Sequence, residues 1–334
     1  MKSKISIFLL LTLTIASGQN LFPILGGQRV GTSVFTFLKI GVSARAAGMS
    51  EAVVALNQDA ASIYYNPGSV AQFSGTEISA SRIQWPADIN YDFISFTHHL
   101  FQRHYIGLSA GILHMEPMPE TTVYMPHGTG NYFIFQNRFV GLTYGARMTD
   151  RFSFGVTFKH VQENLAGSKM NGMLIDMGTF YWTGFRTLRF SAALSNFGSQ
   201  ARPDGYFSKQ YIDHSSGEEA INDSASFTQF SPPTVFRVGS AMNIIDNEFQ
   251  VMTVALQLNH PVDNSESIVL GTEYILLKTL SLRAGYKFNR VEEDFSLGAG
   301  LYIPLGGLKL RVDYAYTNFT YLTDPSRLTI GLSF

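Results

Sequence analysis

The sequence predicts an all-β protein: a transmembrane antiparallel β-barrel of about 14 strands with a small, partly helical N-terminal hatch. Three observations support this prediction. Only 15% of the residues are charged, whereas soluble domains usually carry about 25%. After the first segment no run of roughly 18 apolar residues appears, so no spanning helix is expected. From Thr76 onward, apolar and polar residues alternate, and only a closed barrel lets such strands cross lipid with all backbone groups paired.

Residues 1–18 have the pattern of a secretory signal peptide. Lys2 and Lys4 form a charged start, Ile5 to Ala16 is apolar, and the small residues Ala16, Ser17 and Gly18 form a cleavage site. The apolar run is about a dozen residues, short of the roughly 20 that span a bilayer. We therefore expect export, with a mature chain that begins near Gln19. The chain contains no cysteine, which excludes disulfides and thiolate metal sites.

Residues 19–75 show no strand alternation and are expected to form the hatch. Ser43 to Leu56 is small and Ala-rich, and could form a short helix. Asp59 is expected to be the N-cap of a second helical turn over Ala60 to Tyr65, which Pro67 and Gly68 would end. A barrel of this size has a lumen too wide for side chains alone to fill. A plug inside it is the natural use of this segment.

Residues 76–334 are expected to form the barrel. The predicted strands begin near residues 76, 91, 104, 138, 152, 172, 187, 234, 249, 268, 280, 294, 308 and 327. An even strand count returns both ends to the periplasm, which makes Met115 to Asn137 and Phe197 to Pro233 extracellular loops. The chain stops on Phe334, as the terminal strands of outer-membrane barrels commonly do. The tyrosines expected in the aromatic girdles are Tyr181, Tyr286, Tyr302, Tyr314 and Tyr316.

The charged residues of the polar faces are expected to line the lumen. These are Arg82, Arg147, Lys159, Asp176, Arg189, Arg237, Glu273, Arg283, Lys287, Arg311 and Asp313. A network of ion pairs that holds the hatch to the wall is favoured over an ion-selectivity filter. Arg45 and Asp59 are the expected partners on the hatch.

The sequence gives no support for an enzyme or for nucleic-acid binding. A net charge of −1 provides no basic stripe. The pattern Gly107-Leu108-Ser109-Ala110-Gly111 resembles a nucleophile elbow, but it lies inside a strand rather than at a strand-to-helix turn. His98, His99 and His104 flank one turn, and adjacent residues of a strand point to opposite faces. We therefore expect no catalytic residue, no cofactor and no metal site.

Three segments of the predicted hatch carry a recognisable signature: Phe37-Leu38-Lys39-Ile40, Ala44-Arg45-Ala46-Ala47-Gly48-Met49 and Asp59-Ala60-Ala61-Ser62-Ile63-Tyr64-Tyr65-Asn66-Pro67. Together they resemble the N-terminal signature of the PorV/PorQ family, which belongs to the wider FadL-like barrels. Weaker matches, such as Asn196-Phe197-Gly198 and Leu282-Arg283-Ala284-Gly285-Tyr286, continue along the chain. The resemblance implies a fourteen-stranded barrel with a hatch whose motif residues are Arg45, Gly48, Asp59, Asn66 and Pro67. It also implies a role in type IX secretion.

Three functions remain open from the sequence, all in a bacterial outer membrane with its lipid as one partner. The first is a secretion component that binds or shuttles secreted proteins or other components of the secretion system. Its candidate binding loop carries Tyr206, Phe207, Tyr211 and Phe227, because aromatic residues favour interfaces. The alternative is a FadL-type channel for a hydrophobic small molecule, which requires an apolar pocket between hatch and wall built from Phe22, Phe35, Phe37 and Leu38. A purely structural barrel is the third.

Overall fold

A computed structural model describes residues 31–56, 59–211, 221–289 and 292–334. The predicted signal peptide, the first part of the predicted hatch and Phe22 lie outside these residues. Among the described residues, no helix is both long and apolar enough to cross a membrane.

Fourteen antiparallel strands close into a barrel in which the first and last strands, β1 and β18, pair with each other. The barrel strands are β1 Thr76–Trp85, β2 Ile89–Phe101, β3 His104–His114, β6 Phe135–Arg147, β7 Phe152–Leu165, β8 Ser168–Trp182, β9 Arg189–Gly198, β12 Val235–Asp246, β13 Gln250–Pro261, β14 Ser267–Leu276, β15 Leu280–Phe288, β16 Glu293–Leu305, β17 Leu308–Phe319 and β18 Ser326–Ser333. Two hairpins lie in loops: β4 Met118–Pro119 with β5 Tyr132–Phe133, and β10 Tyr206–Tyr211 with β11 Ile221–Ser226. The predicted fold class is confirmed.

The strand starts agree with the sequence prediction to within about four residues, the largest difference being β8, which begins at Ser168 rather than near residue 172. Alternation is a reliable guide here because the outward face must be apolar wherever it meets lipid. Large apolar side chains project from the outer face around the barrel. Examples are Leu142, Phe158, Leu256, Leu282, Leu297 and Ile330.

Two of the predicted side-chain directions are wrong. Tyr302, expected in the aromatic girdle, alternates with the outward Leu301 and Ile303 and so faces the lumen. Arg82, expected in the lumen, lies on the outward face, because Ser81 and Ile83 are the buried residues of β1. Near the extracellular end the outer face has left the apolar belt, so polarity no longer identifies the inner face.

The connections differ in length at the two ends of the barrel, as expected for periplasmic turns and extracellular loops. At the periplasmic end, β2 and β3, and likewise β16 and β17, are joined by two-residue turns. The long connections β3 to β6 and β9 to β12 lie at the opposite end and carry the loop hairpins. Other extracellular connections are short: Ala166 and Gly167, both with positive φ, join β7 to β8, and three residues join β1 to β2.

The described residues 31–56 and 59–75, here called the hatch, pack inside the barrel. They form two single-turn α-helices, Ala44–Ala47 and Ser62–Tyr65, and two 3-10 helices, Thr36–Lys39 and Pro67–Gln72. Both α-helices are shorter than the sequence predicts. Asp59 is not the N-cap of the second one, which starts after Ala61 without a side-chain cap. The second α-helix ends at Tyr65, just before Pro67, as the sequence predicts, and a 3-10 helix begins at Pro67.

Candidate functional site

A network of buried ion pairs joins the hatch to the wall. Arg45 donates from Nε and Nη2 to the two carboxylate oxygens of Glu273, at 2.8 and 2.6 Å. Arg283 bonds the same carboxylate at 2.7 Å and Asp313 at 2.8 Å. Arg311 then contacts Asp313 at 2.9 Å. The chain of charges therefore runs from the hatch through β14 and β15 to β17.

The network returns to the hatch through two further carboxylates. Arg311 lies 3.2 Å from Glu77 on β1 and 3.9 Å from Asp59. Arg45 lies 3.7 Å from Asp59. The two charged hatch residues that were expected to pair with the wall therefore lie near each other, and both take part in the network. These side chains are almost fully buried. Burial acts to lower the pKa of the Arg45 guanidinium, but Glu273 outweighs burial and raises the pKa well above its ordinary value.

Such a network fixes the position of the hatch more than it stabilises the fold. Removing water from two charges costs several kcal/mol per ion, and the attraction between them offsets this only when every partner is in place. Removing one partner leaves an unpaired buried charge, at a typical cost of about 3–5 kcal/mol. The hatch is therefore strongly favoured in one arrangement over any displaced one.

The other motif residues of the hatch lie where it touches the wall. The side-chain amide of Asn66 donates to the carbonyls of Val54 and Thr179, at 2.8 and 3.0 Å, while its oxygen accepts from the Gly68 amide. Pro67 approaches the wall so closely that a Cβ at Gly155 would lie 2.2 Å from the Pro67 carbonyl oxygen. Gly48 also lies close against the wall, because a Cβ at Gly48 would lie 3.0 Å from the Cα of Gly298.

Basic wall residues bind hatch carbonyls at several other points. Arg147 donates to Ala71 at 2.8 Å, and Arg189 donates to Ala55 at 2.9 Å. Sequence analysis did not single out Arg327, which is 2% exposed and donates to Gly41 at 3.1 Å. The signal that could have identified it is the alternation of β18, which places Arg327 on the inner face, between the outward Ser326 and Leu328.

The remaining lumen charges also face inward but act within the wall. Arg237 donates to Ser195 at 2.9 Å. Asp176 pairs with Lys159 at 2.5 Å and accepts from the Asn196 amide. The Lys159 ammonium lies 4.9 Å from the ring centroid of Tyr64 on the hatch.

A vestibule of about 550 Å³ opens between the top of the hatch and the extracellular end of the wall. Its apolar side comprises Phe37, Leu38, Ile40, Trp85, Ile89, Leu113, Phe135, Phe319 and Leu322. Its polar side carries Arg237 and two ion pairs, Lys39 with Asp263 at 2.9 Å and Lys287 with Glu293. The vestibule thus presents an apolar side opposite a charged one.

Aromatic packing forms the floor of the vestibule. Phe37 packs against Tyr91 and Phe139, with ring centroids 6.0 and 6.4 Å apart. Tyr64 packs against Phe93 and Phe139 just below, at 5.7 and 5.8 Å. Two of the residues expected in an apolar pocket, Phe37 and Leu38, line the vestibule. Phe35 is fully buried beside Gly172 instead.

The predicted binding loop forms the β10–β11 hairpin and its flanks. Tyr206 is 75% exposed, and the rings of Phe207 and Phe227 pack together with centroids 5.2 Å apart. The side chain of Tyr211 is outside the described part of the structure.

The residues considered for chemistry have structural partners. His98 bonds Thr76, His99 stacks on Tyr105, and His104 bonds Tyr144. Within the described ranges, no group of three or more His, Cys, Asp or Glu residues could hold a metal ion.

Comparison with solved structures gives the class of fold. The CymD monoaromatic hydrocarbon channel is 13% identical in sequence and superposes with a TM-score of 0.57. The match covers 88% of this chain and 98% of the CymD chain. The Pseudomonas putida toluene transporter TodX is 12% identical, with coverage of 88% and 97% and a TM-score of 0.58. No protein-family model and no curated protein matches the sequence. The chain therefore has the barrel fold of these two channels, and membership in the PorV/PorQ family or in the wider FadL-like group stays a prediction.

Proposed function

We propose that the barrel is an outer-membrane channel for a hydrophobic small molecule, with the vestibule as its first binding site. The observation that carries this proposal is the apolar side of the vestibule, where Phe37, Trp85 and Phe135 face a space of about 550 Å³ beside the hatch. Such a pocket, largely preformed and mostly apolar on one side, is typical of small-molecule sites. The likeness to the two hydrocarbon channels adds support at the level of the fold.

The apolar side supplies weak and reversible binding. A ligand the size of one aromatic ring buries about 150 Å². At about 25 cal/mol per Å², this burial contributes roughly 4 kcal/mol. Because the ligand also loses freedom on binding, a Kd of about 1 mM is the tightest that this burial alone supports. A channel benefits from such an affinity, because a tightly held molecule would leave slowly.

Passage beyond the vestibule requires the hatch to move. The aromatic floor and the buried ion pairs close the lumen below Phe37 and Tyr64. In this proposal the vestibule collects the ligand, and a displacement of the hatch edge near Leu38 opens the way past the floor. The ion pairs of Arg45 return the hatch to its place.

Trp85 offers a direct test of binding. The chain has two tryptophans, and the other, Trp182, bonds Gln72 at the periplasmic side of the hatch. The Trp182→Phe variant in lipid nanodiscs therefore reports on the vestibule alone. Titration with ethylbenzene should change Trp85 fluorescence to saturation. Adding Ile89→Glu should abolish the saturable part, while Val123→Glu, on a loop residue that is 94% exposed, should not. A signal that never saturates, or that survives Ile89→Glu, would refute the site.

A secretion-related role is a second candidate, favoured by the exposed Tyr206 and the Phe207–Phe227 pair beside it. In this hypothesis the β10–β11 hairpin engages a secreted protein. Deleting residues 206–227 and joining the ends with a short linker should abolish co-purification of exported proteins while the barrel still folds. Unchanged co-purification would reject this role and leave the channel proposal untouched.

A further inference from the structure

The outward face of β1, β2, β3 and β6 carries an arrangement that the channel proposal does not use. Near the extracellular end, Arg82, Asp92, Ile112 and Arg138 lie side by side in one register row across the four strands. One outward position higher, every residue is polar: Gln84, Asn90, His114 and Gln136. One outward position lower, every residue is apolar. The row of Arg82 therefore marks the outer boundary of the apolar belt.

Directly below this boundary the outer surface is hollow. A groove of about 570 Å³ runs across the strands and is lined mainly by apolar side chains. The small residues Ala80 and Ala110 form two low points on either side of Ile94, and Ile330 and Val140 bound them. Ile94, Val140 and Ile330 are each 47–60% exposed. Arg82 and Arg138 stand at its upper rim.

The rim carries an unbalanced positive charge. Arg82 is paired with Asp92 by two bonds of 2.7 and 2.9 Å, and His114 bonds the same carboxylate at 3.2 Å. Arg138 is exposed, and it has no ion pair or hydrogen bond with any residue that the structure describes. A guanidinium at the edge of a hydrocarbon layer is favoured when it meets an anion, and its planar fork matches a phosphate.

We propose that this groove binds lipid A, the phosphorylated and acylated glucosamine lipid of the outer leaflet. One acyl chain lies over Ala110, between Ile94 and Val140, and a phosphate accepts hydrogen bonds from Arg138. The argument for this occupant is the combination of an apolar hollow with an exposed cation at the height of the lipid headgroups, on the extracellular half of the barrel. The proposal rests on the barrel's position in the membrane and is independent of what the lumen carries.

Native mass spectrometry of the purified barrel with added lipid A tests this site. We expect one lipid A to be retained by the wild-type protein. Arg138→Gln should weaken its binding about fivefold, and Ala110→Leu, which fills the groove, should also weaken it. The matched controls are Arg151→Gln at a periplasmic turn and Ala299→Leu on the outer face of β16, and both should bind as the wild type does. Heat-modified migration on gels checks that each variant is folded.

Dephosphorylated lipid A separates the two parts of the site. If the phosphate binds Arg138, removing the phosphate from the lipid should weaken binding as much as removing the guanidinium from the protein. The wild type should then bind dephosphorylated lipid A as weakly as Arg138→Gln binds lipid A. Two results would overturn the proposal. One is equal binding of lipid A and its dephosphorylated form by the wild type. The other is a loss of lipid A binding in the two control variants as large as that in Arg138→Gln and Ala110→Leu. A dimer that buries the groove would also overturn the proposal, because a second copy would then be its occupant.

Discussion

Arg45 and Glu273 stand 228 residues apart in the chain and form a two-bond ion pair whose side chains are 2% and 0% exposed. The pair links the hatch to strand β14. Arg283, on the neighbouring strand, bonds the same carboxylate. Glu273 thus accepts hydrogen bonds from one arginine of the hatch and one arginine of the wall, and it joins the two parts.

Replacing Glu273 with Gln should destabilise the protein by about 3–5 kcal/mol, because two buried guanidinium groups lose their shared counter-charge. Urea unfolding of the barrel in vesicles, followed by its gel mobility, measures this change in the free energy of unfolding. The matched control is Glu266→Gln, whose exposed partner is His260, and we expect a change within about 0.5 kcal/mol. A loss below about 1 kcal/mol for Glu273→Gln would show that the network does not hold the hatch.

Gly285→Ala should displace the hatch without changing any charge. A Cβ at Gly285 would lie 2.3 Å from the carbonyl carbon of Met49 and 2.5 Å from the amide nitrogen of Ser50. Backbone atoms cannot swing aside as a side chain can, so the hatch must shift, at a typical cost of about 1–3 kcal/mol. Gly307→Ala, with nothing within 4 Å, is the control. Hydrogen exchange of residues 44–56 should accelerate only in Gly285→Ala, and equal protection in both variants would contradict the close approach.

Asn66→Asp should loosen the second attachment of the hatch. The acid keeps the oxygen that accepts from the Gly68 amide but loses the two bonds donated to Val54 and Thr179. A carboxylate facing two buried carbonyls is unfavourable, and we expect a loss of about 1–3 kcal/mol in unfolding experiments. Asn90→Asp, on the outer face, is the matched control. If both variants unfold at the same urea concentration as the wild type, Asn66 does not anchor the hatch.

A reversible crosslink can test whether the hatch must move. The chain has no cysteine, and a Cβ at Gly271 would lie 2.9 Å from the Cβ of Ala52, a little closer than the about 3.5–4.5 Å found in disulfides. The double variant Ala52→Cys with Gly271→Cys should block hydrocarbon uptake when oxidised and regain it after reduction. The single variant Gly271→Cys is the control, because its Cβ also lies 2.9 Å from the Met49 carbonyl oxygen and so shows what this substitution does without the crosslink. Equal uptake before and after reduction of a confirmed disulfide would exclude a movement of the hatch at its contact with β14.

The barrel could be predicted closely because its two faces meet different solvents. Lipid outside and a packed lumen inside impose an alternation of period two, which revealed all fourteen strands and most inward charges. The same rule failed where those conditions end. Arg82 lies above the apolar belt, where outward residues are polar, and the inward Tyr302 packs near the buried charges instead of the interface.

The hatch could be predicted only as a segment. Its α-helices are single turns held by tertiary contacts, too short to show amphipathic periodicity. Ser43 caps the first one, but the second has no side-chain cap. Asp59 has the sequence pattern of an N-cap, but its carboxylate lies near Arg45 and Arg311 because the folded barrel brings those charges to it. That Glu273 is the partner of Arg45 depends on strand register and barrel closure, which no local pattern specifies.

The most direct test of the channel proposal is the uptake of radiolabelled ethylbenzene by cells that display equal amounts of folded wild-type or Ile89→Glu barrel, with cells lacking the barrel as background. We expect the wild type to raise the initial uptake rate above background, and Ile89→Glu, which places a charge on the apolar side of the vestibule, to return it to background. A wild-type rate equal to the background, or an Ile89→Glu rate equal to the wild type, would contradict the proposal.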